Sequence, residues 1–234
     1  MKSVALGGRE ALGHVRGLGG LVAARAVLSQ AWSVKRELEL ACAVAERPQL
    51  PSARVEVEMV ETDPTSFDGF EGELRHAKGL EYGQALRRVL VCRAGIRGLH
   101  VASDEDGSPM YAQWLLDSGE RDRLRARMAG PWRGLQQDEA IVEFAYTFRE
   151  HRGKGVMAAG MGALVEIGAQ RGAGRVFTYV RADNVPSLRG CAKVGFRPFA
   201  IVATSFRLGF HRVRFTDVDD ETSAQWASAV APRT

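Results

Sequence analysis

The sequence predicts an α/β fold, and three observations carry that prediction. Residues 141–148 (Ile141-Val-Glu-Phe-Ala-Tyr-Thr-Phe148) are apolar, aromatic and β-branched behind a polar lead-in of Gln136, Gln137 and Asp138, the pattern of a core strand. A short basic loop, Arg149-Glu-His-Arg-Gly-Lys-Gly155, then leads into residues 156–170, small and mostly apolar and closed by Arg171 and Gly172, which read as a helix. A second strand over 175–180 and a short helix ending at Gly195-Phe196 repeat the order.

Strand, glycine-punctuated basic loop and helix together suit a polyphosphate. Gly153 and Gly155 let the backbone turn without a Cβ in the way. The first N–H groups of the helix have no intrahelical partner, and the helix dipole with Arg149, Arg152 and Lys154 favours an anion in front of them. A Walker A loop is excluded, because Lys154 is followed by Gly155 rather than Ser or Thr. A dinucleotide fingerprint can be laid on Gly153, Gly155 and Ala158, but it asks for an acidic residue about 20 positions on, where the chain has Gly172 to Arg175.

Arg152-Gly-Lys-Gly155-Val-Met157 resembles the R/Q-x-x-G-x-G/A loop of the GNAT superfamily, the acetyl-CoA-dependent N-acetyltransferases. Asn184-Val-Pro-Ser-Leu-Arg-Gly-Cys-Ala-Lys-Val-Gly-Phe196 resembles the family's N-x-x-A/S…K-x-G-F segment, at the expected distance. The resemblance covers about residues 54–214 and departs at two places. Met157 stands where the loop ends in Gly or Ala, and Cys191 stands where many members carry a proton-donating Tyr. It implies a mixed, mostly antiparallel central sheet flanked by helices.

The rest of the chain fits that order. At 234 residues with 45% hydrophobic and 26% charged residues, it is expected to be one domain with an appendage. The net charge of +4 permits anionic ligands, but no Lys/Arg run interleaves with aromatics, so no nucleic-acid partner is expected. Cys42, Cys92 and Cys191 are scattered, and the five His residues lack ligand spacing; no disulfide or metal is implied, and a reducing, cytoplasmic setting is the default.

Residues 1–50 are expected to form a helical N-terminal arm and linker, with helices over 21–32 and 34–44 after a glycine-rich start. The arm is too charged for a signal peptide or a membrane span. It is expected to pack on the main domain or on a second subunit; a basic amphipathic arm on an anionic membrane surface is the alternative. The acyltransferase domain is assigned to 53–214. There, 53–60 alternates as a strand, about 65–92 is helical with breaks suggested at Gly79 and Gly83, and 96–102 and 110–116 form a hairpin about Asp104–Ser108. Residues 117–137 are an insertion, helical around 120–128, which either lines an acceptor site or is a solvated surface helix. Two strands over 199–204 and 205–215 close the domain, and 215–234 reads as a flexible tail.

Acyl transfer to an amine needs a base, a polarised thioester carbonyl and a tolerated thiolate. Glu143 is the candidate base. The two-residue strand period puts it on one face with Ala145 and Thr147, and a carboxylate in so apolar a run is costly unless used or paired. A Glu paired with Arg or facing solvent is the alternative. The resemblance implies that this strand splays near its end, with Thr147 and Arg149 offering N–H groups to the acetyl carbonyl. It implies that Arg152, Gly153, Lys154, Gly155, Val156 and Met157 hold the pyrophosphate. Asn184 and Ser187 fall on the family's pantetheine-contacting segment; Asn184 is also a natural helix cap. Cys191 is either the proton donor to the thiolate or a small buried hydrophobe. The implied donor is acetyl-CoA and the acceptor a small-molecule amine, with a protein-directed transferase or a catalytically silent CoA-binding protein as alternatives and a homodimer possible.

Overall fold

The computed structural model describes residues 32–49, 51–128, 130, 131, 133–207 and 210–231. Its strands are β1 (Trp32–Ala43), β2 (Val60–Glu61), β3 (Leu99–Ser103), β4 (Pro109–Leu116), β5 (Glu139–Thr147), β6 (Arg175–Arg181), β7 (Arg197–Arg207) and β8 (Phe210–Thr216). Its helices are α1 (Gly69–His76), α2 (Gly79–Arg93), α3 (Ser118–Arg127), α4 (Val156–Gln170), α5 (Val185–Val194) and α6 (Asp220–Val230). The strands form one eight-stranded sheet in the order β2-β3-β4-β5-β6-β1-β7-β8. Every pairing is antiparallel except β5 with β6. The expected mixed, mostly antiparallel sheet is present.

The sheet separates two apolar layers. On one face α4, α5 and α6 bury Met161, Leu164, Leu188, Val194 and Trp226 against Leu38, Leu40, Leu115, Val142 and Val176. On the other, α1, α2 and α3 bury Phe70, Val89 and Leu124 against Trp114, Ile141 and Phe177. The hairpin turn forms as its sequence asks: Asp104 Oδ1 accepts from the Asp106 and Ser108 N–H groups.

Four expectations are corrected. Residues 34–44 are not a helix but most of β1, which lies between β6 and β7 in the middle of the sheet. Glu, Leu, Arg and Ala favour a helix by propensity, yet Leu38, Leu40 and Cys42 are 3%, 0% and 1% exposed, so period-two burial with strands on both sides decides. The expected helix over 21–32 lies outside the described residues except for Trp32, which opens β1. Residues 53–60 alternate as expected, with Val55, Val57 and Met59 turned to the core, but ladder pairing starts only at Val60. Gly83 breaks nothing; it lies inside α2. The tail after residue 216 folds as α6: Asp219 caps it by accepting from the Thr222 N–H at 2.7 Å, and Trp226 is 8% exposed against the core.

Candidate active site

The single parallel pairing is short. Glu139, Ala140 and Ile141 pair with Arg175, Val176 and Phe177, and no further pair forms. Carried on, the register would set Glu143 beside Tyr179; instead the strands part, as the resemblance implied. The β6-facing edge of β5 beyond Ile141 forms no ladder pair with β6.

β5 also changes face inside this gap. Its register with β4 slips by one residue between Ala112 and Trp114. Opposite Gln113 the strand carries a bulge, and Phe144 takes φ = 58°, among the described residues the only non-glycine residue with positive φ. The expected shared face of Glu143, Ala145 and Thr147 is therefore corrected. Ala145 packs in the α4–α6 layer, whereas Phe144 and Tyr146 join the α1–α3 layer. Glu143 follows Ile141 toward the α1–α3 layer, where Arg87 of α2 and Arg121 of α3 act on it.

Burial pushes the Glu143 carboxyl up to about 8, and repulsion from Glu37 adds to the shift. Arg87, Arg121 and the Tyr179 backbone N–H, which points at the carboxylate where the ladder would have continued, pull the other way. Glu143 Oε1 is closed to solvent and accepts no hydrogen bond among the described residues. A carboxyl that titrates near neutrality with an unfilled oxygen is a proton acceptor waiting for a donor.

Behind Glu143 stands a buried network that sequence reasoning missed. The Tyr179 hydroxyl donates to Glu39 Oε1 at 2.9 Å, and Arg133 Nε meets the same oxygen at 3.1 Å. Glu39 and Arg121 are both 0% exposed. Arg121 donates to the Arg133 carbonyl and supports Tyr179. Both arginines come from the 117–137 insertion, whose helix buries only Arg121 and Leu124. The only legible sign was the alternation of Glu37 and Glu39 with Leu38 and Leu40; nothing marked Arg121.

The loop residues stand together at the head of α4. Thr147 ends β5 opposite Tyr111, and its carbonyl accepts from Arg152 Nε at 3.2 Å. Arg149 sits in a 3₁₀ turn and pairs with Glu73 at 3.6 Å and Glu81 at 3.5 Å. Gly153 (φ = 76°) opens to free space, so a ligand can approach it. Gly155 (φ = 86°) serves the fold instead: a Cβ there would stand 3.2 Å from the Ala53 Cα, and the Arg54 N–H donates to the Lys154 carbonyl at 2.9 Å. Val156 is buried at the start of α4. The Met157 thioether lies over Gly190, 3.1 Å from where its Cβ would be, at the α4–α5 contact.

Asn184 and Ser187 are joined at the head of α5, where Asn184 Oδ1 accepts from the Ser187 N–H at 3.4 Å. Asn184 is thus the helix cap. Cys191 is 0% exposed with its sulfur 3.8 Å from the Met161 sulfur, and burial pushes its thiol up to about 12. His151 does not face solvent freely: its Nε2 lies 3.5 Å from Asp104 on the β3–β4 turn. The loop geometry, an open glycine at the head of α4 with Arg152 and Lys154 beside it, suits an anionic ligand.

Comparison with known proteins places this architecture. Residues 102–196 match the model of the acetyltransferase (GNAT) family. Among solved structures, the GCN5-related glucosamine N-acetyltransferase region of a fungal multi-domain beta-N-acetylglucosaminidase superposes with a TM-score of 0.52 and 14% identity, over 83% of this chain and 23% of that one. A GNAT-family acetyltransferase from Colwellia psychrerythraea gives 0.48 and 14%, over 81% and 63%. One from Novosphingobium aromaticivorans gives 0.48 and 15%, over 74% and 64%. The chain thus spans less than two thirds of each of these structures. No curated protein matches the chain significantly.

Proposed function

We propose that this chain, whose residues 102–196 match the model of the acetyltransferase (GNAT) family, moves an acetyl or other short acyl group from coenzyme A to a primary amine of a small molecule. The observation that carries the reading is Glu143, a base titrating at about 8 with a free oxygen, placed beside the bulge where β5 leaves β6. Gly153 and the first turn of α4 hold the donor's phosphates. Glu143 takes the proton of the incoming ammonium. The unladdered N–H groups of β5 receive the carbonyl oxygen as it gains charge in attack, which is stabilisation by donors already in place. The amine nitrogen bonds to the thioester carbon, the carbon–sulfur bond then breaks, and the nitrogen's second proton passes to the departing thiolate, which leaves as the CoA thiol. In this reading Cys191 packs the α4–α5 contact, because a thiol near 12 enclosed against Met161 is a poor relay.

One observation favours a second reading. With Cys191 buried where the resemblance expects a donor and Met157 lying over Gly190, the domain would bind coenzyme A without turning it over. The two readings part in one experiment. The melting temperature is measured with acetyl-CoA, CoA and NADP separately, and thiol release is then followed with amines. A ligand at about 100 times its dissociation constant stabilises by about 2.7 kcal/mol. Shifts with acetyl-CoA and CoA alone, followed by amine-dependent thiol release, support transfer. Shifts without release support the silent reading, and a shift with NADP alone overturns both.

A further inference from the structure

The cleft between α5 and α6 lies apart from the gap that holds Glu143. It measures about 900 Å³, and Arg189, Lys193 and Arg197 line it over an apolar floor of Ala192, Trp226 and Val230. Among the described residues none of these three cations pairs with a carboxylate. Arg189 donates to the Ala229 carbonyl at 2.6 Å and Arg197 to the Phe196 carbonyl at 3.1 Å, while Lys193 is exposed. Three like charges around one apolar cleft ask for an anionic occupant. Residues 1–31 do not suit it, since Lys2, Arg9, Arg16 and Arg25 outnumber Glu10 there.

The complementary charge stands at the other end of α6. Asp219 is held by Arg36 at 3.6 Å and Glu221 accepts from Gln225, but Asp217 and Asp220 are exposed and meet no cation. Thr222 and Trp226 turn to the core. Helical spacing then gathers Asp220, Ala224, Ala227 and Ala231 on the outer face, and all four are exposed. Alanines on that face let a second helix approach closely. Two copies of α6 laid antiparallel across a two-fold axis would set the acidic head of each at the cation-lined tail of the other. With 11 residues in α6, the two meeting points stand about 16 Å apart. Such an interface uses the same patch twice, so every charge pair in it is made twice. We propose that the chain forms a two-fold dimer through α6, in which Asp217 and Asp220 of each copy enter the α5–α6 cleft of the other and meet Arg189, Lys193 and Arg197.

The test is sedimentation velocity of the full chain across protein concentration and salt. Wild type is expected to dimerise, with a dissociation constant that rises with salt. The double variants Lys193→Glu/Arg197→Glu and Asp217→Lys/Asp220→Lys each set like charges at both meeting points, and each should raise the dissociation constant by about 100-fold or more. Mixed in equal amounts, the two variants bring opposite charges together again at both points and should form a heterodimer, which a misfolded variant could not do. A wild type that stays monomeric at every concentration, a dimer indifferent to salt, a dimer that survives either double substitution, or two folded variants that stay apart when mixed would overturn the inference.

Discussion

Two helical glycines should respond to the same substitution with opposite signs. Gly160 lies in α4 facing β4, and a Cβ there would stand 2.5 Å from Cδ1 and 2.7 Å from Cε1 of Tyr111, with the Met59 sulfur at 3.2 Å. Tyr111 cannot swing aside. It is 0% exposed and its hydroxyl donates to Gln113 Oε1 at 2.6 Å. Overpacking of this kind costs about 1–3 kcal/mol, whereas Gly to Ala inside a helix gains about 0.5–1 kcal/mol. The clash wins, and Gly160→Ala should lose about 1 kcal/mol net, which lowers the melting temperature by about 2–4 °C for a chain of this size. Gly83 in α2 has nothing within 4 Å of its would-be Cβ, so only the helix gain remains. Gly83→Ala should raise the melting temperature by about 1–4 °C. Thermal unfolding of both variants beside wild type reads the pair. A Gly160→Ala protein as stable as wild type would refute the tight packing of α4 on β4, and a loss in Gly83→Ala would refute the open face of α2.

Further predictions rest on single residues. Glu143 binds its proton more tightly folded than unfolded, so its contribution is full below its ordinary value of 4.5 and lost as pH rises to about 8. Unfolding followed across that window should therefore show Glu143→Gln gaining on wild type as pH rises, with no further gain above it. Cys191→Ala should lose less than tenfold in kcat, where loss of a true proton donor costs about 10²- to 10⁴-fold; a loss of that size would return Cys191 to catalysis. Trp226→Ala removes the one large side chain that α6 buries, at 8% exposure, and should cost about 3–5 kcal/mol in denaturant unfolding. An unaffected midpoint would mean that α6 does not hold to the α4–α6 layer.

What was legible in the sequence was local. The bounds of α4 follow from its apolar run and from Gly155 and Gly172 at its ends, and the β3–β4 turn follows from Asp104. The Glu143 position was legible because a charge inside an apolar strand needs a reason. The rest depends on partners far away in the chain. β1 is a strand because β6 and β7 flank it, against the helix preference of its own residues. The bulge at Phe144 turns Glu143 and Ala145 to opposite faces, and no residue type announces it. Arg121 and Arg133 look like ordinary solvated cations until the insertion folds them onto Tyr179 and Glu39. α6 was missed because only Trp226, Ala229 and Val230 mark its apolar side.

The most direct test of the central claim is the pH dependence of thiol release from acetyl-CoA, measured for wild type and Glu143→Gln with an acceptor that wild type turns over. The account predicts a wild-type rate that rises with pH through about 8, and a Glu143→Gln rate lower by about 10²- to 10⁴-fold with that limb gone. A Glu143→Gln enzyme that keeps the wild-type rate and the wild-type limb would show that the carboxylate in the gap between β5 and β6 is not the base.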